Sequence, residues 1–225
     1  MISTREKDMP VEREVAAFLD KHLYSNTDIF SEFARTDGYE EQIRGSDVIL
    51  STTDKKLHRK IVDEKVAISR ANVDLPTFSL ELSFINKSGK KNIGWFLDSS
   101  KSTEYYLFGW IIKADIPFNE ETGKWEYHEL KRDNIHEFQW ALVSREKIMK
   151  FLEKRGWTLD KLARQEEKIR ERGYVKNPKV FVDDVSFFYT NRNPRMIEKP
   201  INILLKKETY MELADEKGTI ITNQP

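Results

Sequence analysis

The sequence predicts an α/β protein of the α+β kind, in which helices flank a central mixed β-sheet. Three observations predict this class: an amphipathic helical pattern near the N-terminus, several strand-like segments after it, and capped helices followed by further strands. Aromatic residues make up 12% of the 225 residues, so the chain can form a packed core although 34% of it is charged. Because no stretch has the composition of a long linker, we expect one domain over residues 1–225.

The N-terminal half reads as one helix followed by strands. Apolar residues recur at helical spacing over residues 10–24, and Pro10 fits the first turn of such a helix. Residues 77–86 alternate between apolar and polar side chains, which is typical of a half-buried strand. The other predicted strands are rich in Val and Ile or follow a turn, and they cover residues 33–36, 47–51, 59–69 and 92–97.

The C-terminal half mixes strands with two capped helices. Residues 102–114 are apolar and aromatic throughout, which leaves strand and helix open. Ser144 caps a predicted helix over 145–155, and Thr158 begins another over 159–172 that ends at Gly173. We expect a loop over 117–124 and strands over 137–143, 180–188 and 201–205.

Composition excludes several classes of function. The chain has no cysteine, which excludes disulfide scaffolds, thiolate zinc sites and cysteine nucleophiles. Its 38 basic and 38 acidic residues exclude a wholly basic nucleic-acid coat, but not a local basic surface. No apolar run approaches the length of a membrane span or a signal peptide, so we expect a cytoplasmic protein without a membrane partner.

Two carboxylates and a lysine form the candidate site. Side chains alternate along a strand, so Asp63 and Lys65 share one face, and Asp47 on the preceding strand can lie across from them. Carboxylate oxygens suit Mg²⁺, and an adjacent lysine can orient a metal-bound water or stabilise developing negative charge. The alternative is a surface salt bridge, because an acid two residues before a lysine also occurs at Asp54/Lys56, Glu129/Lys131, Glu166/Lys168 and Asp215/Lys217.

This arrangement resembles the PD-(D/E)XK nuclease superfamily, whose motif is an Asp at a strand end followed by acid-x-Lys on the next strand, often with a Glu on the first helix. Asp47 matches the Asp and Asp63-Glu64-Lys65 matches acid-x-Lys, although no Pro precedes Asp47. The flanks resemble small phage-like members of the family. They contain Gly45 before the Asp, a Thr-Phe-x-x-Glu strand (Thr77, Phe78, Glu81) and a Gly-Trp-Phe piece (Gly94, Trp95, Phe96).

The resemblance covers about residues 10–115, and the basic part at 130–225 matches nothing in the family. It implies a restriction-endonuclease-like fold and hydrolysis of phosphodiester bonds in DNA with Mg²⁺ or Mn²⁺. Asp47, Asp63 and Glu64 would hold the metal, and Lys65 would assist the attacking water. Pairing is common among such nucleases, so a homodimer stays open.

Further residues can complete this site. Glu12 lies nearer than Glu14 to the buried stripe of the first helix, and it can supply the helix carboxylate or simply stabilise the first turn. Gln42 and Glu81 are possible accessory residues. Alternatively, Glu81 is simply a polar residue on the solvent-facing side of its strand.

Two other classes of function remain beside the nuclease. One is a nucleic-acid-binding or assembly module with the same fold and no turnover, and the other is a structural interaction protein whose strand acids only pair with lysines.

Nucleic-acid contact is predicted outside the motif. Residues 131–179 contain 14 Lys and Arg against 8 Asp and Glu. The helix over 159–172 carries Lys161, Arg164 and Lys168, which can neutralise phosphates. Alternatively, its bases pair with Glu166, Glu167 and Glu171 as a solvated face.

Overall fold

Over the described part of the chain, four helices pack around two β-sheets and a short hairpin. The computed structural model describes residues 4–25, 28–36, 44–86, 88–176, 180–189 and 198–222. The helices are α1 (Thr4–Leu19), α2 (Arg145–Lys154), α3 (Leu159–Arg172) and α4 (Lys207–Leu213). The strands are β1 (Phe30–Arg35), β2 (Val48–Thr52), β3 (Lys60–Val66), β4 (Thr77–Ile85), β5 (Lys91–Ile93), β6 (Tyr105–Ala114), β7 (Phe118–Asn119), β8 (Lys124–Trp125), β9 (Ile135–Ser144), β10 (Ser186–Tyr189), β11 (Ile201–Lys206) and β12 (Glu216–Ile221).

The large sheet is mixed, as the sequence predicts. Its strand order within the described residues is β1-β2-β3-β6-β9-β12. Strands β3 and β6 are parallel, and the other neighbouring pairs are antiparallel. The connection between β3 and β6 contains β4 and β5, which join β10 and β11 in the small sheet, ordered β10-β11-β4-β5.

The first helix packs its apolar stripe on one face of the large sheet. The ring of Phe18 lies 5.6 Å from that of Phe138 on β9, centroid to centroid. The helix begins at Thr4, so Pro10 lies within it and the prediction that Pro10 occupies the first turn is wrong. After Leu19 the chain continues in a π-helical turn, Asp20–Tyr24. Every member of the predicted stripe is buried: Val11, Val15, Phe18, Leu19 and Leu23.

The large sheet is covered on both faces, and this explains why 102–114 was ambiguous. Along β6, Leu107 and Ile111 join the core under α1, whereas Phe108 and Trp110 join the core formed with the small sheet and the other helices. A strand buried on both faces has no polar face, so its sequence carries no period of two.

Capping residues set the two central helices where the sequence predicts them. The side chain of Ser144 accepts a hydrogen bond from the backbone of Lys147, and Thr158 does the same for Lys161. Gly173 ends α3 in the left-handed conformation at φ +74°.

Other predictions at this level are only partly right. The expected strand over 180–188 is reduced to β10, the return strand over 92–97 to β5, and the expected loop over 117–124 contains the β7–β8 hairpin. Helix α4 and strand β12 were not predicted. Within the described ranges, no helix combines the length and apolarity needed to cross a membrane.

Candidate functional site

A cleft of about 1080 Å³ lies where α1, the start of β2, β3 and the small sheet meet. Asp47, Asp63 and Lys65 are among its lining residues, together with Glu12 from α1. Its lining also includes Phe78 of β4, Phe188 of β10, and Asn202 and Leu204 of β11. The sequence-predicted carboxylates and lysine therefore share one concave surface.

Antiparallel pairing of β2 and β3 brings Asp47 to the acid-x-Lys segment. Val48 lies opposite Val62, and the backbone N–H of Asp47 donates to the carbonyl of Val62 at 2.9 Å. The carboxylate of Asp47 accepts a hydrogen bond from the backbone N–H of Glu64 at 2.7 Å, which holds it beside the strand that carries Asp63.

Lys65 lies between its strand neighbour and an aromatic ring. Its Nζ is 2.5 Å from Oδ1 of Asp63 and 5.0 Å from the ring centroid of Trp95. Burial lowers the pKa of Lys65, but the negative charges of Asp63 and Asp47 outweigh burial, so the net shift of this pKa is upward. The ammonium is therefore charged at neutral pH and is directed at the acids.

The two aspartates crowd each other electrostatically. Burial, followed by the negative charge of Asp63, raises the pKa of Asp47 to about 7, against the opposing effect of Lys65. Asp63 is buried and Asp47 is half-buried, so two close carboxylates with one lysine beside Asp63 leave excess negative charge that water screens poorly. A bound divalent cation would relieve this repulsion.

The side chain of Glu64 belongs to a different network. Arg35 Nη1 donates to its Oε2 at 2.6 Å, and the Tyr24 hydroxyl donates to its Oε1 at 2.7 Å. Arg35 also binds Asp20 and the carbonyl of Ala16, so this network ties β1 and α1 to β3. The carboxylate predicted as a metal ligand is thus used to hold the strand in place.

The first helix directs one of its two candidate carboxylates to the cleft. Glu12 is exposed and lines the cleft, and its negative charge contributes to the raised pKa of Lys65. Glu14 lies elsewhere, because its carboxylate accepts from the backbone of Arg132 at 3.2 Å and is 3.6 Å from Lys131 Nζ.

The accessory residues differ in their positions. Glu81 accepts a hydrogen bond from the backbone N–H of Trp95. Burial raises the pKa of Glu81 and outweighs the lowering by this hydrogen bond and by the positive charge of Lys65. Glu81 is therefore near the lysine but is not among the residues that line the cleft. Gln42 falls outside the described residues.

Gly45 allows the chain to approach Asp63 closely. Its φ is +72°, and an added Cβ would collide with the Thr103 hydroxyl and lie 3.4 Å from Oδ2 of Asp63. That hydroxyl donates to the carbonyl of Gly45 at 2.7 Å. The turn before Asp47 thus needs a residue without a side chain.

The basic residues of α3 lie apart from this site. Lys161, Arg164 and Lys168 do not line the cleft and instead line a separate cavity of about 350 Å³ with Trp157 and Gln165. Among the described residues, no group of three or more His, Cys, Asp or Glu side chains has the geometry of a preformed metal site. The candidate metal ligands are therefore a pair of carboxylates.

Three residues that contact the site were missed from the sequence. Arg35 and Tyr24 bind Glu64, and Trp95 packs its ring on the Lys65 ammonium. Trp95 was named only as part of the Gly-Trp-Phe piece of the family resemblance, and only the folded chain brings its ring to Lys65. No motif marks Arg35 or Tyr24.

Comparisons with known proteins add nothing to this geometry: no family model, curated protein or solved structure matches the chain.

Proposed function

We propose that this protein is a metal-dependent nuclease that hydrolyses phosphodiester bonds, with DNA as the expected substrate. The observation that carries the proposal is the meeting of Asp47, Asp63 and Lys65 in one cleft, with the Lys65 ammonium 2.5 Å from Asp63. A salt bridge on a solvated strand would explain Asp63 and Lys65 alone. It does not explain a third acid, the half-buried Asp47, whose pKa is raised.

The donor set fits a hard divalent cation. Asp47 and Asp63 offer carboxylate oxygens, and a cation would offset both the burial and the negative charge of Asp63 that raise the pKa of Asp47. Mg²⁺ is commonly held by one or two carboxylates and completes its shell with waters and substrate phosphates, so a carboxylate pair is sufficient. Mn²⁺ accepts the same oxygen ligands.

The protein groups have distinct roles in this proposal. When bound, the cation supplies a more acidic water and offsets charge on the phosphate. Lys65, fixed by Asp63 and Trp95, can hydrogen-bond the attacking water and the phosphate oxygen on which charge develops. Hydrolysis forms a P–O bond from water and breaks the P–O bond to the leaving alkoxide, which takes up a proton. Glu12 adds a carboxylate from the helix side.

The cleft has features suited to a polyanion. Its lining includes Arg13 and Arg70, both exposed, and the half-buried Lys101. Cations around an acidic centre can bind the flanking phosphates and so position the phosphate between them for attack.

The fold supports the resemblance to the PD-(D/E)XK superfamily, and we infer a restriction-endonuclease-like core. Asp47 immediately precedes β2, the Asp63-Glu64-Lys65 triplet lies on the next strand β3, and Glu12 is on the preceding helix. This is the order of parts that the resemblance implies.

The proposal is tested by cleavage assays on plasmid, linear duplex, single-stranded DNA and RNA, with Mg²⁺, Mn²⁺ or EDTA. We expect metal-dependent cleavage that falls at least 100-fold in Asp63→Asn and Lys65→Met, in line with the loss of a transition-state-stabilising group. The chain supplies its own controls, because Asp54 and Lys56 form the same acid-x-Lys pair at 2.6 Å on an exposed turn. Asp54→Asn and Lys56→Met should leave cleavage unchanged.

The outcomes separate the candidates. Cleavage equal in Asp63→Asn and Asp54→Asn would mean that the activity does not belong to this site. Salt-sensitive nucleic-acid binding without cleavage in any metal would favour the binding or assembly module. If the protein neither binds nor cleaves nucleic acid, the structural interaction protein is the remaining candidate.

A further inference from the structure

We infer that the cavity on α3 is a second nucleic-acid site, which binds a single-stranded segment outside the catalytic cleft. The cavity, about 350 Å³, is lined by Trp157, Lys161, Arg164, Gln165 and Lys168. None of these lines the cleft that contains Asp63. The inference extends the proposed function but rests on different residues.

Charge is segregated around the helix axis. At 3.6 residues per turn, the four lining residues of α3 fall within an arc of about 100°. The exposed acids Asp160, Glu167 and Glu171 fall on a neighbouring arc, about 90° away. The helix therefore presents a basic stripe rather than an alternation of signs.

The bases of the stripe are not engaged by carboxylates. Over the described ranges, no ion pair within 4.0 Å joins Lys161, Arg164 or Lys168 to an acid, and Arg164 donates instead to the backbone carbonyl of Asp160 at 3.2 Å. Glu166 pairs with Arg170 and Lys91, on the buried side. Of the pairs that the solvated-face alternative expects, only that of Glu166 with Arg170 forms among the described residues, so Lys161, Arg164 and Lys168 are available to an anion.

An aromatic wall distinguishes this cavity from a simple anion patch. The half-buried Trp157 ring makes an edge contact with Phe187 of β10, with centroids 5.1 Å apart and planes at 62°. Lys161 Nζ lies 5.6 Å from the same ring. A planar ring next to a row of cations matches a nucleic-acid strand, whose bases stack on aromatics while its phosphates meet Lys and Arg.

The stripe has the length that a short strand requires. Lys161 and Lys168 are seven residues apart, about 10 Å along the axis at 1.5 Å per residue. The stripe thus offers three cations over this length, enough to neutralise about three phosphates of one strand. Single strands are favoured over duplex because only unpaired bases expose a face to Trp157.

The test measures binding of labelled oligothymidylate by fluorescence anisotropy, in EDTA and on an Asp63→Asn background, so that cleavage plays no part. Lys161→Gln/Arg164→Gln/Lys168→Gln should weaken binding at least 10-fold at low salt. It should also reduce the slope of log K against log salt by about 2, at about 0.7 per single-strand phosphate contact. The control Lys90→Gln/Lys113→Gln/Lys124→Gln removes three exposed cations elsewhere and should change binding less than threefold.

A second variant tests the ring. Trp157→Leu should weaken oligothymidylate binding about fivefold or more, the effect of losing one stacked base, and leave binding of polyglutamate unchanged. The inference is overturned if the two triple variants bind alike. It is also overturned if the α3 triple variant loses more affinity for a duplex than for the single strand, or if polyglutamate binds as well as DNA and Trp157→Leu affects neither.

Failure here and failure of the nuclease proposal are distinguishable. The α3 triple variant should still hydrolyse bis(4-nitrophenyl) phosphate if the wild type does, because this small diester needs only the catalytic cleft. Conversely, a chain without hydrolytic activity can still pass the binding test.

Discussion

Arg35 donates at 2.6 Å to Glu64, the middle residue of the Asp63-Glu64-Lys65 triplet. The contact joins β1 to β3, and the side chains are 21% and 10% exposed, so the ion pair is largely removed from water. Removing one partner of such a pair leaves an uncompensated charge, which costs more than the pair contributes.

The first prediction concerns this pair. Arg35→Met should lower the free energy of unfolding by about 3–5 kcal/mol, because it leaves the largely buried Glu64 carboxylate without its countercharge. Adding Glu64→Gln should recover part of the loss, with a coupling of about 1–3 kcal/mol in a double-mutant cycle measured by urea denaturation. Strictly additive losses would contradict this reading.

A surface pair provides the comparison. Lys150 and Glu146 form an exposed i,i+4 pair on α2, with side chains 63% and 73% exposed. Lys150→Met should change the free energy of unfolding by about 0.5 kcal/mol or less.

The second prediction concerns the metal and does not depend on catalysis. If Asp47 and Asp63 bind Mg²⁺, the cation should stabilise the folded chain by about 2.7 kcal/mol at 100 times its dissociation constant. For a protein of this size that corresponds to a rise in Tm of about 5–11 °C. Asp47→Asn and Asp63→Asn should abolish the rise, and Asp54→Asn should retain it. A rise of equal size in all four proteins would place the cation elsewhere.

Local rules of strand geometry predicted that Asp47, Asp63 and Lys65 come together, and the family resemblance favoured this acid-x-Lys pair over the other four. Asp63 and Lys65 share a face because side chains alternate, and Asp47 reaches them because β2 and β3 are adjacent in sequence and pair antiparallel. These relationships depend on residues a short distance apart along the chain.

The supporting contacts could not be predicted in the same way. Arg35 and Glu64 are 29 positions apart in the sequence, and their contact depends on how α1 and β1 pack on β3. Trp95 lies in the connection between the parallel strands β3 and β6, after β4 and β5. Only the path of this connection across the sheet brings its ring to Lys65. Strand β12 was missed because its exposed and half-buried residues alternate at the sheet edge without a clear apolar face.

The third prediction concerns the turn before Asp47. Gly45→Ala should destabilise the protein and impair the site, because the added methyl group collides with the Thr103 hydroxyl next to Asp63. Both the Tm and the Mg²⁺-induced rise in Tm should fall.

A substitution at Gly89 is the control for Gly45→Ala, because it introduces backbone strain without a collision. Its φ is +80°, and an added Cβ would meet nothing within 4 Å. Gly89→Ala should therefore show only the conformational penalty, about 1–2 kcal/mol, with the response to Mg²⁺ intact. Equal effects of the two substitutions would show that the contact with Thr103 contributes nothing.

The last prediction is a pH dependence at Glu166, which anchors α3 to the small sheet. Its carboxylate is 4% exposed and accepts from Ser83 Oγ, Lys91 Nζ at 2.6 Å and Arg170 Nε at 2.8 Å. Burial raises the pKa of Glu166, but the hydrogen bonds from Lys91, Ser83 and Arg170 outweigh burial, so the pKa is lowered on folding. The unfolded chain then binds a proton at higher pH than the folded chain, and folding is favoured by the ionised form.

Glu166→Gln should accordingly cost about 1.5–3 kcal/mol near neutral pH, where charged hydrogen bonds are lost. The difference from wild type should persist down to about pH 4.5, the ordinary range of a glutamate, and shrink as the pH falls further through the lowered pKa of the folded state. Urea unfolding at several pH values measures it, with Glu167→Gln, one residue along and exposed, as the matched control. A difference that stays constant down to pH 3, or that grows on acidification, would mean that Glu166 is not held in the folded protein as a charged hydrogen-bond acceptor.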